Sequence, residues 1–219
     1  MRTDLLKRLL LPVFPAILLL SCGSEEQTPV NPETLTLVSF ESHGKFGFKD
    51  TSGNIIIQAL YDGVYEFDTN RITAVVDSTG WMIINKKGEH ILNPYIFDNG
   101  PDYFEEGLAR YVENSKMGFF DKNGNKVIAA KYDFATPFKG GYSAVCNGCA
   151  MVPMDEEHSK IDGGKWGMID RTGKENISLV YDMLIHFDED SVTLKMEEKW
   201  YKMNIADKGT IQIAAPVKE

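Results

Sequence analysis

The chain has 219 residues and a formal net charge of −9; 43% of it is hydrophobic, 25% charged and 11% aromatic. That profile belongs to a folded globular chain rather than a disordered one. The acidic balance leaves no broad cationic surface from which nucleic acid could release counterions, so no nucleic-acid partner is expected.

Arg2, Lys7 and Arg8 precede a 12-residue apolar run, residues 9–20, which ends at Ser21-Cys22. This is the order of a secretory signal peptide. The run falls short of the roughly 20 apolar residues that a membrane-spanning helix requires, and Pro12 and Pro15 each remove a helix donor. Leu19-Leu20-Ser21-Cys22 resembles the bacterial lipobox, which implies a signal peptide over residues 1–21, acylation of Cys22, and a protein held in the cell envelope by lipid, at the outer membrane. Loss of residues 1–21 would leave a net charge of −11. Residues 22–34 are polar, acidic and punctuated by Pro29 and Pro32, and read as a flexible tether. Glu25 and Glu26 also resemble an export signal of surface lipoproteins in Bacteroidetes-type bacteria, which leaves surface and periplasmic display as alternatives.

Beyond the tether one pattern recurs. Lys45-Phe46-Gly47-Phe48-Lys49-Asp50, Lys116-Met117-Gly118-Phe119-Phe120-Asp121 and Lys165-Trp166-Gly167-Met168-Ile169-Asp170 are complete copies; Gly80-Trp81-Met82-Ile83-Ile84-Asn85 is a degenerate one, and a partial copy begins at Lys199-Trp200. Their turn glycines, Gly53, Gly88, Gly124, Gly173 and Gly209, are spaced by 35, 36, 49 and 36 residues. Tyr61-Asp62, Phe97-Asp98, Tyr132-Asp133 and Tyr181-Asp182 keep the same beat, as do Phe67, Phe104, Phe138 and Phe187. The period is about 35 residues with one insertion, which spans residues 146–163.

Within each copy apolar residues alternate, as expected of a half-buried strand. An Asp-x-x-Gly segment follows that suits a three-residue hairpin loop with a left-handed glycine. Second strands are expected near residues 55–57, 91–92, 127–128 and 177. Third strands are expected near residues 72–76, 108–112, 142–145 and 192–195, and residues 35–40 supply a leading one. The chain thus reads as all-β, a tandem array of about five short β-meander or hairpin units over residues 35–219. An open solenoid-like array is favoured because only three strands per unit are visible; a five-bladed propeller is the alternative.

These copies resemble the WG repeat, also called the KWG repeat, whose units read approximately Lys-Trp-Gly-Phe-Ile-Asp, a glycine turn, then Tyr-Asp and Phe. The resemblance covers residues 35–213; Met82 replaces the glycine in the second unit and Met117 the tryptophan in the third. It implies a repeat-built binding or scaffolding protein without shared catalytic residues. A glycan-binding component of a surface uptake system is the alternative, with Trp81, Trp166, Trp200, Tyr61, Tyr132 and Tyr181 as candidate stacking residues. Filling the core between repeats is the simpler role for those aromatics.

Cys146-Asn147-Gly148-Cys149 lies in the insertion. Asn-Gly favours a hairpin turn and an exported chain meets an oxidising compartment, so a Cys146–Cys149 disulfide is expected, with free thiols as the alternative. Only His158 is near enough in sequence to join these cysteines, too few ligands for zinc. Residues 121–132 lack calcium-loop spacing. His43, His90, His158 and His186 are scattered, and Ser143 lacks the second glycine of a nucleophile elbow. No catalytic group, metal or cofactor is expected. The insertion is the candidate recognition element, with Met151 and Met154 as adaptable apolar contacts and Asp155, Glu156 and Glu157 steering a basic partner, an envelope protein.

Overall fold

The computed structural model describes residues 31–67, 71–155, 158–187 and 190–216. Cys22, the expected signal peptide over residues 1–21 and residues 22–30 of the expected tether lie outside the described residues, as do Glu156 and Glu157. Of the residues read as the tether, 31–34 are described; Pro32–Thr34 form a single 3-10 turn, in which Asn31 Oδ1 accepts a bond from the Glu33 amide.

The described chain is all-β apart from that turn. Sheet I contains β1 (Leu37–Ser42), β2 (Lys45–Asp50) and β3 (Ile55–Tyr61); sheet II contains β4 (Gly63–Val64), β5 (Ile72–Asp77), β6 (Gly80–Asn85) and β7 (His90–Pro94). A small hairpin of β8 (Ile96–Phe97) and β9 (Gly100–Pro101) leads to sheet III, with β10 (Leu108–Glu113), β11 (Lys116–Asp121) and β12 (Lys126–Tyr132). Sheet IV holds β13 (Phe134–Ala135), β14 (Tyr142–Pro153), β15 (Ser159–Asp170) and β16 (Glu175–Tyr181). Sheet V holds β17 (Met183–Phe187), β18 (Ser191–Met196), β19 (Lys199–Asn204) and β20 (Thr210–Ile213). All pairings are antiparallel meanders, and β7 pairs with β10, so sheets II and III share one hydrogen-bonded ladder. Three strands of each unit were legible in the sequence. The fourth, β4, β13 or β17, precedes them in sheets II, IV and V.

The hairpin loops follow their sequence. Asp50 Oδ1 accepts the amides of Ser52 and Asn54, Asp121 those of Asn123 and Asn125, and Asp170 those of Thr172 and Lys174. Gly53, Gly88, Gly124 and Gly173 all have φ between 79° and 92°. The last turn departs from the expectation: two residues longer, it places Lys208 rather than Gly209 in the left-handed region, at φ 62°.

The strand glycine has a different task. In sheet I, Phe46 faces Tyr61 and Phe48 faces Ile57, so two steps along β2 match four along β3. The excess backbone of β3 bulges over Gly47, where a Cβ would lie 2.5 Å from the Ile57 carbonyl oxygen. Gly118 and Gly167 meet the Ile128 and Ile177 carbonyls in the same way, at 2.5 and 2.4 Å. Where the glycine is missing, so is this bulge. Met82 sits in β6, whose register breaks only farther along, between Ile83 and Ile84, and Tyr201 faces Gln212 in an unbroken ladder. β7 then runs on to pair with β10.

Each interior sheet buries one face on the preceding sheet and the other on the following one. Leu37, Phe48 and Ile57 of sheet I pack on Val75 and Ile84 of sheet II, whereas Ile72, Ile83 and Leu92 pack on Ala109, Tyr111 and Phe120 of sheet III. Sheets III and IV, then IV and V, repeat the arrangement. The phased phenylalanine plugs these cores at one edge: Phe67 meets Phe48 at 4.8 Å and Phe138 meets Phe119 at 4.7 Å, both edge-on. Among the described residues every buried cluster joins consecutive sheets. Register sets the two ends apart: the position held by Ile84, Phe120, Ile169 and Met203 is Lys49 on the outer face of sheet I, and the position of Phe48, Ile83, Phe119 and Met168 is Lys202 on the outer face of sheet V. Ser191 and Thr193 share that outer face with exposed Ile211 and half-buried Trp200. Among the described residues the array is open; Lys49 faces exposed Val38 and Ile55 on one end face, and Lys202 faces exposed Ile211 on the other.

Candidate functional site

Two phased motifs meet in an ion pair. The lysine that opens each complete copy reaches the Asp of Tyr-Asp 17 residues later: Lys45 to Asp62 at 2.5 Å, Lys116 to Asp133 at 2.6 Å and Lys165 to Asp182 at 2.6 Å. Asp133 also accepts the Gly148 amide, and Asp182 the Glu197 amide. The lysine ammonium and then the amide hold both carboxyls below the usual carboxylate range. These pairs fasten the chain where it leaves each sheet, and are structural.

The insertion differs from its sequence reading. Asn147-Gly148 is not the turn; β14 and β15 extend as one hairpin with 12 residues per strand, Cys146 opposite Trp166 and Met151 opposite Ile161, and the chain reverses after Pro153. Three glycines let the backbone kink midway. Gly148, Gly163 and Gly164 have φ of 76°, 72° and 73°, and a Cβ on Gly164 would lie 2.5 Å from the Cys149 nitrogen. The strands continue because their inner residues find a core: Cys146, Cys149 and Trp166 are buried between sheets IV and V, with Ile161 packed against them. Cys146 and Cys149 are bonded to each other, Cα atoms 6.2 Å apart. Beyond that core, Met151 and Met154 are 58% and 64% exposed, and Asp155 accepts a bond from the His158 amide at 2.8 Å.

Of the six phased aromatics, Trp166, Tyr61 and Tyr132 are buried, and Trp81, Trp200 and Tyr181 are half-buried on three sheets. Trp166 donates its indole proton to the Gly163 carbonyl and meets Phe134 edge-on. Ser143 is wholly buried and donates to the Thr136 carbonyl. Among the described residues no three His, Cys, Asp or Glu side chains gather as a metal site.

One buried charge pair escaped the sequence reading. Arg110 Nε and Nη2 donate to Asp102 at 2.8 and 2.7 Å, Nη1 donates to the Ala135 carbonyl at 3.0 Å, and the guanidinium lies 4.5 Å from the Tyr95 ring centre. The pair holds the β8–β9 segment to sheet III and ties sheet III to sheet IV. Its signal was present: an arginine in the middle of the apolar strand Leu108-Ala109-Arg110-Tyr111-Val112 requires a buried acidic partner.

A cavity of about 230 Å³ opens beside this pair, between sheets II and III. Ile72, Ala74, Ile83 and Phe120 form its inner wall; Tyr65, Glu66 and Tyr103 form its rim. It exists because Ile83 stands where sheets I and III carry Phe48 and Phe119. Phe104 has no facing ring there and packs instead on Phe120, at 5.2 Å.

No curated protein matches the chain. Among solved structures it is similar to one described as the crystal structure of the eukaryotic initiation factor, at 12% identity and a TM-score of 0.32, over 78% of this chain and 50% of that one. The chain spans about half the length of that protein. The family described as WG containing repeat matches residues 46–78, 81–116, 117–148 and 166–200, and its one long gap falls on the β14–β15 insertion. With more than half of its residues matched, and with the glycine, lysine and aspartate of the repeat carrying the structural tasks described above, the chain belongs to the WG-repeat family.

Proposed function

We propose that this WG-repeat chain is a non-catalytic binding or scaffolding module of the bacterial cell envelope, held at the outer membrane through acylated Cys22 and presenting the β14–β15 hairpin to a protein partner. The observation that carries this reading is the hairpin itself. Where the repeat is interrupted, the added residues form an ordered two-stranded arm rooted in the core between sheets IV and V, with Met151 and Met154 exposed at its end. Flexible thioether side chains adapt to varied apolar surfaces, and the adjoining acidic residues 155–157 favour a basic partner. Insertions on a repeat scaffold commonly carry recognition.

The glycan alternative is left with half-buried Trp81, Trp200 and Tyr181, which share no sheet. Replacing residues 150–161 with a short Gly-Ser linker tests the protein-binding reading, once circular dichroism has established folding. Loss of the envelope partners that crosslink to the intact protein is expected; retention of all of them at equal affinity would overturn the role of the hairpin. Anchoring is tested separately by Cys22→Ala, which should abolish partitioning into detergent. A variant still processed at the same bond and still membrane-bound would overturn it.

A further inference from the structure

We infer that the cavity between sheets II and III binds an organic cation carried on an apolar stem, a lysine or arginine side chain or a small quaternary amine. The inner wall of Ile72, Ala74, Ile83 and Phe120 offers dispersion contacts and no hydrogen bonds. The rim offers aromatic faces: Tyr65 is 55% and Tyr103 64% exposed. Each ring rests against another aromatic. Tyr65 leans on Trp81 at 5.5 Å, whose indole donates to the Asn99 carbonyl, and Tyr103 meets Phe97 edge-on at 6.5 Å. Exposed tyrosine faces held beside an apolar slot attract cations through the ring quadrupole.

The charged groups at the cavity select the sign. Both charged lining residues, Glu66 and Asp102, are carboxylates; the ammonium of exposed Lys122 lies 5.9 Å from the ring centre of Phe104, which also lines the cavity. Asp102 is neutralised by Arg110. Glu66 is exposed and accepts bonds from the Ser39 amide and hydroxyl, which fix its carboxylate without cancelling its charge. The Thr73 hydroxyl is turned away to the Tyr65 carbonyl. Among the described residues the lining therefore carries aromatic rings, one carboxylate without an ion-pair partner, Glu66, and few donors. A sugar or an anion needs donors; an ammonium or guanidinium needs what is present.

The test is calorimetric titration of the full chain in non-ionic detergent with choline, Nα-acetyl-lysine methylamide, the neutral choline isostere 3,3-dimethylbutanol, and methyl glucoside. At least one cation should bind, with affinity falling in high salt, and the neutral isostere should bind at least about tenfold more weakly. Choline alone binding assigns the site to small amines; the lysine derivative alone assigns it to a side chain of a partner. Ile83→Phe fills the cavity with the residue that sheets I and III carry, and Tyr103→Ala removes an exposed ring that folding does not need. Each should weaken binding, Tyr103→Ala by about two- to fivefold, the equivalent of losing one exposed cation–π contact, and Ile83→Phe at least as much by occupying the space. Equal binding of the neutral isostere, binding of methyl glucoside in place of the cations, no binding of either cation, or unchanged affinity in both variants would overturn the assignment.

Discussion

The interior sheets and the two end sheets are built from the same repeat, yet they treat equivalent positions in opposite ways. Ile84 on sheet II and Phe120 on sheet III are buried against the preceding sheet. Lys49, at the same place on sheet I, faces outward with its ammonium 5.9 Å from the Phe40 ring centre. Phe119 and Met168 are buried against the following sheet, while Lys202 on sheet V is exposed. An isolated repeat cannot cover both of its apolar faces, so an array must either close on itself or replace one face at each end by polar groups. This chain sets one lysine in each end face, Lys49 and Lys202, among apolar neighbours that stay exposed, Val38 and Ile55 on sheet I and Ile211 on sheet V.

The sharpest way to break the comparison is to move an end residue inward. Ile84→Lys would bury an unpaired ammonium between sheets I and II, and should cost more than about 4 kcal/mol, enough to unfold much of the array. Lys49→Ile, its mirror image, should change stability by less than about 1 kcal/mol. Urea midpoints of the two variants check the pair. Trp166→Ala on interior sheet IV should cost about 3 to 5 kcal/mol, and Trp200→Ala on sheet V well under half as much, because the latter ring is already half in water. Near-normal stability for Trp166→Ala would move that residue from the core to a binding surface.

Gly167→Ala sharpens the comparison at the backbone. Its new Cβ would meet the Ile177 carbonyl, and relief of that overlap should cost about 1 to 3 kcal/mol. Tyr201→Gly on sheet V should not create a bulge, since the facing strand there has no excess residues. The smallest effect concerns acid. Asp133 and Asp182 have folded-state pKa values held below normal, so their stabilisation is complete above the unfolded value near 4 and is lost as pH falls through the lower folded value. Lys116→Met should raise the pH of acid unfolding slightly, by removing a half-exposed pair worth no more than about 1 kcal/mol.

Much of this fold was legible because the repeat states each feature several times. Turn, strand alternation and phase reinforce one another, and the structure places the second and third strands of each unit where those markers put them. In sheets II and IV the fourth strand escaped because a two-residue bridge, Gly63–Val64 or Phe134–Ala135, has no periodicity to detect. Asn147-Gly148 misled because a turn dipeptide was weighed alone, whereas Cys149 and Ile161 find a core on sheet V that keeps the strands extended. The end faces were written in the sequence as Lys49 and Lys202. Reading them required the strand register that says which residue of each pair looks forward and which looks back. The cavity rests on one absent ring, Phe to Ile at position 83, which has meaning only beside Phe48 and Phe119.

The openness of the array is tested most directly by native-state hydrogen exchange on a variant wounded at one end. Leu194→Asp places a carboxylate in the core between sheets IV and V, where Leu194 is fully buried. Protection should collapse in sheet V, weaken in sheet IV and remain unchanged in β1, β2 and β3, which share no buried cluster with sheet V. Loss of protection in sheet I matching that in sheet IV, with sheet III spared, would mean that the two ends are neighbours and that the array is closed.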